Sequence, residues 1–145
     1  PQTEAQAKFS LQHSVAVTFL SGPPVLADFS LDRIADPALA RLRALTEVIA
    51  DPDLTVRYPA HFGAIVEVET TDGARLAAEV TDALGDSENP LDQSAILAKF
   101  YALTAYAGVQ RREAETLAVA ALALANGASS APLRAAMATL TFPSG

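Results

Sequence analysis

Two alternating runs on either side of an Asp-Gly pair restrict the fold of this chain more than any other feature. In residues 64–70 Val66 and Val68 alternate with Glu67 and Glu69, and in residues 75–80 Leu76, Ala78 and Val80 alternate with Arg75 and Glu79. A period of two sends apolar side chains to one face of a strand and charged ones to the other. Between the runs, Asp72-Gly73 supplies the positive φ that a tight hairpin turn demands. The pattern predicts an antiparallel hairpin with one wet face and one face packed under helices.

The rest of the chain reads mostly as helix. Thr3 with Gln6 is a capping-box pattern, and the apolar-rich stretch behind it runs through Leu20 to Ser21-Gly22-Pro23-Pro24, which predicts a single first helix. Ser30 can open a short helical turn. At Asp36-Pro37 a capping carboxylate and a proline at the first helical position precede Leu39, Leu42 and Leu45. Residues 46–50, with Val48 and Ile49, read as a strand, and residues 54–58 as a second strand or a loop. After the turn-forming residues 85–90, Asp92 can cap a helix on which Ile96, Leu97, Phe100, Leu103 and Thr104 make one stripe, ended by Gly108.

An alanine-rich helix follows over residues 111–125, stopped by Asn126-Gly127, and then a short helix from Pro132 to Leu140. Leu117 and Leu124 fall near one side of the longer helix and Val119 and Leu122 near the other, so it should be buried on more than one face, either by another domain or another subunit or in the middle of its own bundle. The expected architecture is α+β: a two-layer α/β sandwich with a small antiparallel sheet, followed by C-terminal helices. Residues 1–107 form the α+β unit, and residues 108–145 a helical segment packing on it or on a partner.

Composition removes several classes of function. The chain has 145 residues, 50% of them hydrophobic, and no cysteine, which excludes disulfides, thiolate metal sites, iron–sulfur clusters and a cysteine nucleophile within it. Its net charge is −7, with Lys8 and Lys99 the only lysines and Arg111-Arg112 the only paired cations. Nucleic acid is excluded as a partner, because neutralising phosphates needs a basic face. The longest apolar run, residues 117–125, is far short of the ~20 residues that a membrane span requires. Without a signal-like start or an initiating methionine, the chain reads as cytoplasmic and as processed or excised from a longer one.

Four words occur in a fixed order: residues 6–17 (QAKFSLQHSVAV), residues 34–37 (IADP) before a leucine-bearing helix, residues 71–73 (TDG), and residues 85–91 (GDSENPL) with Ala98-Lys99-Phe100 behind them. Together they resemble the second, smaller α+β domain of MmgE/PrpD (2-methylcitrate dehydratase-like) proteins. That resemblance implies chemistry on small di- or tricarboxylates: dehydration of methylcitrate, decarboxylation of cis-aconitate or epimerisation of an iminodisuccinate, with no metal or organic cofactor. Such chemistry moves a proton beside a carboxylate and needs a base, a cationic clamp and an acid. By the same resemblance, most of these groups lie in a large helical domain to which nothing here corresponds.

The chain is therefore expected to be inactive alone, to meet a small polycarboxylate substrate only together with that helical domain, and to form a homo-oligomer. The alternative is a free-standing, non-catalytic binding or oligomerisation module. His13 and Ser10 are the residues expected to face a cleft, with Lys8 behind them, since histidine can shuttle protons near neutral pH. His61 reads as a solvated loop histidine. Asp86 and Glu88 read as turn chemistry, and no ligands fall at a metal-binding spacing.

Overall fold

The computed structural model describes residues 1–140. It is α+β, with eight α-helices, one 3₁₀ turn and one antiparallel hairpin among those residues. The chain divides into two compact units: Pro1–Val48 together with the chain from Leu97 onward, and Ile49–Ile96.

In the first unit the expected opening helix is two helices, α1 (Glu4–Lys8) and α2 (Leu11–Ser21). The break comes from Ser10, whose backbone is extended and whose hydroxyl accepts the His13 amide at 3.1 Å, so that it caps α2. Thr3 caps α1 in the same way, by accepting the Gln6 amide. Gly22, at φ +84°, ends α2. A 3₁₀ turn (Leu26–Phe29) leads into α3 (Leu31–Ala35), capped by Ser30, and α4 (Pro37–Leu45), capped by Asp36 with Pro37 at its start. The core of this layer is Ala16, Val17 and Leu39, with Leu42 packed against it.

Residues 46–50 form no strand, and the segment behind them is a helix, α5 (Pro52–Arg57). Both differences have one cause. Asp51 Oδ1 accepts the amides of Asp53 and Leu54 at 2.8 and 2.9 Å, and Pro52 sits at the first helical position. This is the device that also starts α4.

The hairpin pairs β1 (Ala64–Glu69) with β2 (Arg75–Val80), from Glu69↔Arg75 at the turn to Ala64↔Val80 at the open end. Its turn is wider than a two-residue Asp-Gly turn. The Thr70 amide donates to Ala74 O and the Gly73 amide to Thr70 O, and Gly73 alone carries positive φ, at +84°. Asp72 instead accepts the Thr70 hydroxyl and the Ala74 amide, and these bonds, the hydroxyl first, hold its carboxyl below the usual carboxylate range. The register places Ala64, Val66, Val68, Leu76, Ala78 and Val80 on one face. That face is not packed as the alternation predicts: Val68 alone is half-buried and the other five are exposed. A helix layer over it is not built from the described residues.

Three further helices follow, α6 (Gln93–Tyr106), α7 (Arg111–Ala125) and α8 (Ala131–Ala138). Asp92 caps α6 by accepting the Ala95 amide at 2.7 Å, and that bond, with the Ser94 hydroxyl second, holds its carboxyl low. The stripe expected on α6 is only partly covered: Leu97, Phe100 and Thr104 are half-buried, Ile96 and Leu103 are exposed, and no residue of the helix is fully buried. Arg111 lies 3.8 Å above the Tyr101 ring and bonds to Glu115, which fixes the start of α7. Along α7, Ala114, Leu117, Ala118 and Ala120 are buried, while Leu124 is exposed and Val119 is 68% exposed. Burial of α7 is thus one-sided rather than all round.

Candidate functional site

His13 is the one buried polar side chain among the described residues. Its Nδ1 lies 3.1 Å from Arg43 Nη1 and its Nε2 lies 2.8 Å from the Asp28 carbonyl oxygen. A guanidinium can only donate, so Nδ1 is the acceptor and the ring proton sits on Nε2, donating to Asp28. The second arm of Arg43 donates to Ile34 O at 2.7 Å, and the Phe29 ring stands 5.7 Å from the imidazole. Three segments meet on this ring, α2, the 3₁₀ turn and α4, and Arg43 links them to α3 through Ile34 O.

Beside it, Arg33 donates to Asp28 Oδ1 at 3.2 Å, to Asp36 Oδ2 at 3.0 Å and to Ser21 Oγ at 3.0 Å, while Asp28 Oδ2 accepts the Val25 amide. Such a paired, partly buried network ties together the short elements that carry it. It leaves His13 neither an exposed edge nor a free nitrogen.

The three residues expected at a cleft are thus placed differently. Ser10 and His13 are joined, but through the Ser10 hydroxyl and the His13 amide. Lys8 closes α1 and is exposed, with no hydrogen bond or ion pair among the described residues.

The second histidine lies in the other unit. His61 Nδ1 is 2.8 Å from Asp82 Oδ1, and the two side chains are 42% and 15% exposed. The carboxylate accepts, so the neutral ring carries its proton on Nδ1, and Nε2 has no protein partner among the described residues. Asp82 is fixed through its backbone by Asn89, whose Nδ2 donates to Asp82 O at 3.1 Å. Asn89 is held in turn by a bond from the Gly85 amide to its carbonyl, 2.8 Å, with Gly85 at φ +107°. In the same loop Asp86 Oδ2 is buried without a hydrogen-bond partner.

This pairing was missed in the sequence, where the two residues stand 21 positions apart. The hairpin register brings the two segments together but does not give the pair, because extending it beyond Ala64↔Val80 sets Phe62 opposite Asp82 and His61 opposite Ala83.

Elsewhere, a groove of about 460 Å³ runs along α7 to Pro132 of α8, with Arg112, Glu115 and Val119 in its lining. Among the described residues no group of three or more His, Asp or Glu could hold a metal ion, and no helix is long and apolar enough to cross a membrane.

No protein of curated function matches the chain. A family model does: the MmgE/PrpD C-terminal domain, over residues 1–124, a range that takes in both histidine sites and all four sequence words. The chain belongs to the MmgE/PrpD family, and what it carries is that family's C-terminal domain.

Proposed function

We propose that the chain is part of a lyase or isomerase that moves protons on small di- or tricarboxylates without a metal or organic cofactor, and that turnover needs the family's helical domain. The match to the C-terminal domain carries this reading. The state of the cations bears on its second half: Arg33, Arg57, Arg75 and Arg111 pair with acids of the same chain and Arg43 is taken up by His13 and Ile34, while the side chains of Lys8, Arg41, Lys99, Arg112 and Arg134 have no partner among the described residues. A tri-anion needs several converging donors. We expect residues 1–145 alone to give no turnover of 2-methylcitrate, cis-aconitate or iminodisuccinate, and activity to return when the helical domain is supplied. Turnover by the pure chain, followed by NMR of substrate and product, would contradict this.

The exposed apolar residues of α7 are what a domain separated from its partner would leave uncovered, and they decide between this reading and the alternative, a free-standing binding or oligomerisation module. Val119 stands out of the helix beside a groove instead of inside a core. Apolar surface of this kind favours self-association, most often about a two-fold axis. We expect sedimentation to give a dimer or larger at micromolar concentration, and Val119→Glu to lower the association. A clean monomer would mean that the domain is self-sufficient and would strengthen the free-standing alternative.

A further inference from the structure

The chain has two histidines, and their surroundings are opposite in kind. His13 is sealed, with both nitrogens occupied. His61 is open on one side only: Asp82 holds Nδ1, while Nε2 is unpartnered among the described residues on a ring that remains 42% exposed.

The pair is also braced beyond what a surface ion pair needs. Asp82 is largely covered and tied down by Asn89. On the other side, Gly63 brings its backbone so close to β2 that an added Cβ would lie 2.8 Å from Val80 O and 2.9 Å from Thr81 O. Two segments are thus pressed together where His61 meets Asp82. A carboxylate that orients an imidazole through Nδ1–H and leaves Nε2 free is the arrangement in which histidine accepts a proton most effectively.

We propose that His61 is a general base, with Asp82 as its positioning residue, and that it acts on a carbon acid adjacent to a carboxylate. The proposal rests on the polycarboxylate reading above and assigns one of its proton transfers to this domain. In the step, the lone pair on Nε2 takes the proton from the substrate C–H. The bonding electrons stay on the substrate, delocalised into the neighbouring carboxylate. The resulting imidazolium keeps its Nδ1–H on Asp82, whose negative charge stabilises it; where the next carbon carries a hydroxyl, the electrons expel it as the C=C bond forms and the Nε2 proton leaves with it as water, and where it carries none, a proton returns to carbon.

The test uses the complete protein as its gene encodes it. Long-range ¹⁵N–¹H correlation, assigned by the signals lost in His61→Gln, should show the Nδ1–H tautomer at His61. An Nε2–H tautomer there overturns the proposal without any assay. With 2-methylcitrate and iminodisuccinate, which both carry a C–H beside a carboxylate, H61Q should lower kcat by about 10²–10⁴-fold with KM little changed. D82N should lower kcat by less, also at constant KM, and Asp82→Glu should restore part of the loss. A merely structural pair would shift melting and leave that kcat pattern absent. H61Q at the wild-type rate overturns the assignment of the base and leaves the polycarboxylate reading standing. Wild-type protein inert on both substrates overturns both.

Discussion

Replacing His13 with alanine is expected to cost about 3–5 kcal/mol of stability, the largest effect of any single substitution in the first unit. Two losses add. A completely covered ring is removed from among α2, the 3₁₀ turn and α4, and the cavity can close only partly. The Arg43 guanidinium also loses an acceptor in a place where water does not readily replace it. Since a domain of this size is stable by only about 5–15 kcal/mol, the variant would approach the threshold of folding. Urea unfolding measures the effect. A double cycle with Arg43→Met should show coupling, because each partner's loss already strands the other. A His13→Ala protein within about 1 kcal/mol of wild type, the ordinary effect of a substitution, would mean that the ring is not the hub of this layer.

Gly63→Ala is expected to destabilise the second unit by about 1–3 kcal/mol through overpacking against groups that cannot yield. Its Cβ would meet two backbone oxygens at 2.8 and 2.9 Å and Leu54 Cδ2 at 3.2 Å. A side chain could swing aside, but strand carbonyls move only by parting β1 from β2. The contrast is Gly73, where an added Cβ meets nothing within 4 Å and only the positive φ resists substitution. Thermal melting followed by circular dichroism would read the loss. The His61 imidazole signals should shift in the same variant, because the spacing that Gly63 sets is also the spacing of His61 and Asp82. A variant that melts with the wild type would show that the close approach is not required.

Much of the fold is legible in the sequence where one local rule acts without competition. The hairpin and the helices after Ser30, Asp36 and Asp92 follow from alternation and capping residues. Two local errors have local causes. Asp51-Pro52 carries the same starting signal as Asp36-Pro37, but the β-branched residues around it suggested strands. Ser10 lies within an apolar-rich stretch, where a mid-helix serine and a capping serine look alike until the backbone is known.

The packing errors are of another kind. The apolar hairpin face and the α6 stripe have the right periodicity, yet periodicity does not say whether a cover is present. The candidate sites needed three dimensions. His13 stood out in the sequence, but Arg43, 30 residues away, fills its free nitrogen; His61 looked ordinary until the hairpin brought Asp82 to it.

The hairpin has one more property, which bears on what its bare edges can pair with. It is a two-stranded sheet, so among the described residues both outer edges lack a strand neighbour, and bare edges invite other chains to add themselves. The charged face answers that hazard. Glu67, Glu69 and Glu79 with Arg75 line it, and a second hairpin sliding alongside in register would bring carboxylate against carboxylate. Side chains that add little to folding can therefore act as guards against fibril-like stacking, keeping an uncovered apolar ribbon from finding a copy of itself.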